Sequence, residues 1–324
     1  GAARQLSGDR RGAGPAAAAP GAQASSMAGA ANGDNPLVSE QLFPQFDQIR
    51  AEHVVPGIKA LLEECEQGLS ELEAEASSGD CTYATLADPL ERLLDRLGRA
   101  WGSVTHLKAV KDNSDLRQAV ETVQPDQVAF SLRVAQSEAL YKGYRTLREA
   151  AGWEGMPEAQ RRFVEQEMRD AELAGIALEG PAKARVTEIQ QELSRLSTKF
   201  SNNVLDATKA FERVVEDPAE VEGLPEAALE LAAQSAAAKG REGATAKDGP
   251  WVFTLDYPSY LPVMMHCKNR ALREEMYRAF ITRASSGDLD NSAVIDEILK
   301  LRAEKAQLLG YSNFGDLSMA RKMA

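Results

Sequence analysis

From Val186 to Val214 the chain carries an unbroken apolar stripe: Val186, Ile189, Leu193, Leu196, Phe200, Val204, Ala207, Phe211 and Val214, spaced three or four residues apart. That period keeps every member on one face of an α-helix. At 1.5 Å per residue the stripe predicts a rod of roughly 43 Å. A helix this long cannot cover its own apolar face, so other elements must be laid against it. An isolated coiled coil would show the same spacing. Shorter amphipathic segments on both sides favour a wall helix inside a larger helical domain. Gly180-Pro181 precede the stripe, and Asp217-Pro218 are expected to stop the helix.

The flanking segments follow the same rule. Behind Pro56, residues Ile58, Leu61, Leu62, Cys65, Leu69 and Leu72 share a face, and Ser77-Ser78-Gly79-Asp80 close that helix. A second starts near Thr85 or Asp88-Pro89, carries Leu90, Leu93, Leu94, Leu97 and Trp101, and is interrupted at Gly102-Ser103. Residues 114–123, 125–150 and 157–174 read as further amphipathic segments, and Leu224-Pro225 open a short one. A polar loop from Gly240 leads to Gly249-Pro250, which punctuate the best strand signal in the chain, Trp251-Val252-Phe253-Thr254-Leu255. Asp256 breaks the run, Pro262 suits the first turn of a helix, and Asn269 offers the cap of another. Val294, Ile295, Ile298, Leu299, Leu301, Leu308 and Leu309 make a last face, closed by Gly310. Few other strand signals exist, so the partner of 251–256 is expected outside this sequence.

These signals predict a mainly α fold with a short strand near 251–256. Residues 1–36 are Ala/Gly/Pro-rich with Arg4, Arg10, Arg11 and only two acids, Asp9 and Asp34. Such a stretch reads as a disordered tail or the remnant of an organellar transit peptide.

Charge and residue chemistry narrow the function classes. A net charge of −12 argues against non-specific nucleic-acid binding and against a polybasic membrane surface. The longest apolar runs are far short of the roughly 20 residues that span a bilayer. Cys65, Cys81 and Cys267 form no C-x-x-C and suit reduced thiols inside a cell. Neither His53, His106 nor His266 lies in an H-E-x-x-H motif or has a second histidine three or four residues away. His266 and Cys267 are adjacent, but helix neighbours point about 100° apart, so they are not expected to act as a thiol–imidazole pair. Glu63-Glu64 and Glu274-Glu275 read as solvated helix faces. No phosphate-cradling glycine loop and no G-x-S-x-G occurs. The residues alone assign no catalytic or metal-binding position.

Six stretches in order carry a resemblance. They are FDQIRAEHVVPGIKALL (46–62), RAWGSVTHLKAV (99–110) with SDLRQA (114–119), EALYKGY (138–144), KFSNNVLDATKAF (199–211), WVFTLDYPSYLPVM (251–264), and DNSAVIDEILKLRAEKAQLLGYSNFGDLSMARKMA (290–324). Together they resemble the thimet-type zinc oligopeptidases, in the branch of oligopeptidase A and its plant and algal organellar members. The resemblance implies a two-lobed, clam-like metallopeptidase whose channel admits short peptides. It implies one zinc ion on an H-E-x-x-H helix with a distant glutamate, the motif glutamate serving as general base. That zinc helix is expected to follow the KMA sequence at 322–324, so neither a zinc ligand nor a catalytic residue is assignable to any position here, and substrate contacts stay unknown.

On this basis 37–239 is expected to be the helical N-terminal lobe, and 240–324 the beginning of an incomplete catalytic lobe. The chain then reads as a fragment, inactive alone; a non-catalytic peptide-binding or regulatory relative is the alternative. The expected setting is intracellular: chloroplast or mitochondrion if 1–36 derive from a transit peptide, otherwise cytosol. Short peptides are the expected partners, and nucleic acid and membrane are not. The segment after Trp251 is expected to leave Phe253, Leu261, Leu308 and Leu309 partly uncovered, with looser packing or self-association as the consequence.

Overall fold

The computed structural model describes residues 35–41, 43–79 and 81–322. The tail or transit-peptide reading of 1–36 therefore falls, but for Asn35 and Pro36, outside the described residues. Five helices build the first core: α1 (Ala51–Ser78), α2 (Tyr83–Val110), α3 (Ser114–Ala135), α4 (Glu138–Glu149) and α5 (Glu158–Leu173). The starts of α2, α3 and α4 are set by side chains that satisfy free N–H groups. The Thr82 hydroxyl accepts from Thr85 N at 3.1 Å, and Thr82 N donates back to Thr85 Oγ1 at 3.0 Å. Asn113 accepts from Leu116 N, and Ser137 from Leu140 N. The apolar faces meet in one cluster: Val54, Ile58, Leu61 and Leu69 of α1 are buried with Leu86, Val104, Val123, Tyr144 and Val164.

Two local expectations shift. Gly102-Ser103 do not interrupt α2, which runs through them while Ser103 Oγ donates to Arg99 O at 2.8 Å. The joint expected near Pro125 lies instead at Gln136-Ser137, where Ser137 caps a new helix; Pro125 sits inside α3.

The long helix is α6 (Gly180–Ala210). It ends before its stripe does. Phe211 is its C-cap, and Val214 belongs to a strand, β1 (Arg213–Val215). β1 pairs antiparallel with β2 (Trp251–Phe253) in the register Arg213↔Phe253, Val214↔Val252, Val215↔Trp251. The partner strand expected outside the sequence is thus within it. Val214 fits the helical spacing while the β-branched pair Val214-Val215 also suits a strand, and pairing with β2 decides between them.

α7 (Glu226–Ala238), α8 (Tyr257–His266) and α9 (Arg270–Ile281) close around the sheet. Trp251, Val252 and Phe253 are all buried, and Trp251 and Phe253 join a second core with Val215, Ala232, Ala233, Val263, Leu272 and Met276. Phe253 is 1% exposed, which corrects the expectation that it stands uncovered; Leu261, Leu308 and Leu309 are half-buried. This core joins residues from both sides of position 240. Pro258, not Pro262, occupies the first turn of α8; Pro262 lies inside it. Asn269 caps α9, accepting from Ala271 N and Leu272 N. At Gly223, φ is +93° and an added Cβ would lie 2.5 Å from His266 O, so only glycine fits this close approach of the two loops.

α10 (Ser292–Leu308) lies along α6, burying Val294 and Leu301 against Ile189 and Leu196. Gly310, with φ +81°, turns the chain into α11 (Phe314–Met319), whose Leu317 packs with Leu173 and Ala306.

Candidate functional site

Two open grooves border α6. The first, about 930 Å³, lies between α3 and α6; the second, about 1000 Å³, between the α3–α6 wall and α10 with α11. Both are large enough to take an extended segment of several residues.

Polar side chains lace the first groove. Gln124 Nε2 donates to Ser194 Oγ at 2.7 Å and Thr198 Oγ1 at 2.9 Å, and Thr198 Oγ1 donates to Gln124 Oε1 at 3.1 Å. Farther along, Arg117 donates from Nε to Asp112 Oδ1 and from Nη1 to Asp206 Oδ2, each at 2.7 Å. Lys209 Nζ adds a 2.9 Å bond to Asp112, whose carboxylate is only 4% exposed. The Arg117 hydrogen bonds, then those from Lys209, pull the Asp112 carboxyl down to about 2. Asp206 is lowered for the same first reason, its bond from Arg117.

The second groove is more apolar and more cationic. Leu132, Val186, Leu193, Phe314 and Leu317 line it together with Arg302, Lys305, Arg321, Lys322 and one carboxylate, Asp170. Lys305 Nζ donates to Gln190 Oε1 at 2.6 Å, and Arg321 pairs with Asp170 at 2.6 Å. Burial pushes the Lys305 ammonium down, and the Arg321 charge adds to this. Glu167 is raised, first by burial and then by Asp170.

The sequence candidates are scattered and engaged locally. His53 Nδ1 accepts from Arg50 N at 3.1 Å at the start of α1. The His106 ring stands edge-on to Phe46 at 5.6 Å. His266 is exposed at the end of α8, while Cys267 is buried and its Sγ donates to Glu220 O at 3.3 Å. Cys65 is buried, and burial followed by Glu64 raises its thiol to about 11. Cys81 is half-buried. Glu64 pairs with Arg96 at 2.5 Å, Glu274 with Arg278 at 2.8 Å and Glu275 with Arg213 at 3.0 Å. Among the described residues no three His, Cys, Asp or Glu side chains are placed to hold a metal. The zinc that the family resemblance implies therefore has no fitting donor set among the described residues.

The grooves escaped the sequence reading. Arg302 and Lys305 share a face at i,i+3, a visible signal, but Arg321 joins them only through the fold-back at Gly310.

Fold and grooves together define a mainly α-helical protein whose longest helix separates two open clefts. Comparison with known proteins says which. The N-terminal domain model of neurolysin and thimet oligopeptidase matches residues 58–183, and the model of peptidase family M3 matches 263–324. Over 290 residues the chain is 55% identical to the chloroplastic/mitochondrial organellar oligopeptidase A of Arabidopsis thaliana, covering 90% of this chain and 36% of that protein. It is 54% identical to the probable cytosolic oligopeptidase A of the same plant, covering 90% and 41%. Identity to oligopeptidase A of Escherichia coli is 44% over 295 residues, covering 90% and 42%. The chain is thus similar to peptidase family M3 in both matched segments, and it spans about two fifths of the length of the relatives it matches. Among the described residues no helix is long and apolar enough to cross a membrane.

Proposed function

We propose that these residues form the peptide-lining helical wall of a zinc-dependent oligopeptidase, a two-lobed clam in which the zinc chemistry is carried by residues outside this sequence. The observation that carries the reading is the alignment of 90% of the chain with oligopeptidase A at 44–55% identity. The two grooves beside α6 support it, since each suits an extended short peptide better than a folded protein. The 324 residues contain no H-E-x-x-H. By themselves they are expected to bind peptides and hydrolyse none.

The lobe division expected at residue 240 is part of this proposal, with β1 and α7 joined to the strand segment through the second core. So is an intracellular setting, organellar or cytosolic, as the names of the two Arabidopsis relatives suggest. Exposed Ile281 and Leu299, on α9 and α10, are the side chains through which the chain would self-associate.

The test uses the purified 324-residue chain with a quenched fluorescent peptide and added zinc. Binding without turnover is expected. Zinc-dependent cleavage by this chain would overturn the placement of the chemistry, and failure to bind any short peptide would overturn the channel.

A further inference from the structure

We propose that the groove between the α3–α6 wall, α10 and α11 is an anion site that seats a carboxylate borne by a peptide, an inference that rests on the peptide-channel reading above. The chain as a whole is strongly acidic, at −12, yet this groove gathers Arg302, Lys305, Arg321 and Lys322 against the single carboxylate of Asp170. Arg321 uses that carboxylate at 2.6 Å. The other three cations have no carboxylate within 4 Å among the described residues.

Lys305 is the centre of the argument. Its ammonium is drawn into the groove and meets only the amide oxygen of Gln190, at 2.6 Å. A neutral amide satisfies one of its three donors and none of its charge. A desolvated cation without a counter-ion is costly, and the depressed ammonium reports that cost. Arg302 stacks over the Phe314 ring at 4.9 Å, a contact that holds the guanidinium in place without neutralising it. Two held, uncompensated cations at the edge of an apolar trough match a ligand with a charged end and side chains to bury. A peptide carboxylate has both parts: its C-terminus or an acidic side chain supplies the charge, and neighbouring residues cover the trough.

The experiment measures fluorescence anisotropy of labelled short peptides against the 324-residue chain. Three peptides share one sequence: one with a free C-terminus and one aspartate, one with the C-terminus amidated, and one with asparagine replacing aspartate. The free acid is expected to bind about ten-fold or more tightly than whichever neutral version lacks the seated carboxylate; the version that loses affinity identifies its source. Lys305→Met and Arg302→Gln are each expected to erase that preference, and Lys305→Arg to retain it. Thermal melts confirm folding, and Arg302→Gln alone carries the test if Lys305→Met does not fold.

Equal binding of all three peptides overturns the inference while leaving the channel intact. A preference unchanged in folded Lys305→Met or Arg302→Gln overturns it also. Competition by inorganic phosphate far below the concentration of acetate needed would make the site a phosphate site and overturn the carboxylate assignment. Absence of binding by any of the peptides sinks the channel reading itself.

Discussion

Arg117 ties the loop after α2 to the far end of α6, and replacing it by methionine isolates that tie. In the native protein the guanidinium bridges Asp112 and Asp206 with bonds of 2.7 Å to each. Asp112 is nearly buried, so its lowered carboxyl bears on stability with little solvent screening. A fall from 3.8 to about 2 is worth roughly 2 kcal/mol at neutral pH. Asp206 and Arg117 are 35% and 21% exposed, so their shares are screened and add less. After Arg117→Met, Asp112 keeps only the half-exposed Lys209. The expected loss is about 2–3 kcal/mol, below the ~3–5 kcal/mol of a wholly buried broken pair.

The sign of the pH dependence follows from the direction of the shift. The folded value of Asp112 lies below the unfolded one, so its contribution is complete above about pH 4 and fades as pH falls toward 2. At pH 3 roughly half of that contribution is gone. Urea unfolding of both proteins, followed by far-ultraviolet circular dichroism, should show the gap at pH 7 narrowing by about 1 kcal/mol at pH 3. A gap under about 0.5 kcal/mol at pH 7, or one of equal size at both pH values, refutes the reasoning.

Two further outcomes are expected. Trp251→Ala empties a site that is 1% exposed and should cost about 3–5 kcal/mol, with limited proteolysis cutting first around β1 and α7 while α1–α5 resist. Cys65 and Cys267 should remain unlabelled by a thiol reagent at pH 8 until denaturant is added, because both are buried and burial raises both thiols.

How much of this was legible in the sequence depends on which force decides each element. Helices set by local signals were readable: the Asn269 cap, the start of α7 behind Leu224-Pro225 and the Gly310 turn are where residue chemistry puts them. β1 was not, because Phe211 and Val214 continue the helical spacing without a gap. What ends α6 is a distant partner, Trp251–Phe253, and no local window contains it. The joint at Ser137 was hidden by Pro125, a stronger punctuator that the helix nonetheless absorbs. The cationic groove was hidden for a related reason: its parts come from segments that meet only after α11 folds back.

The stripe that defines α6 is in the end divided between neighbours. Ile189 and Leu196 are buried with α10, while Phe200 remains 37% exposed. Gln124, from α3, hydrogen-bonds the polar residues Ser194 and Thr198. Each end of the helix is fixed by a paired arginine. Arg185 holds Glu304 of α10 at 2.6 and 2.9 Å near the start, and Arg117 holds Asp206 near the finish. A rod pinned at both ends tilts as a unit, and both grooves use it as a wall. Loosening one pin is therefore expected to change the width of both grooves, to the extent that the bonds of Lys108 to Asn202 and of Arg283 to Thr208 let the far end move. Arg117→Met, which touches only the first of these two grooves, should thus also weaken the carboxylate preference of the second; Lys305→Met, which removes the bond to Gln190 but neither arginine pin, should leave the first groove as it is.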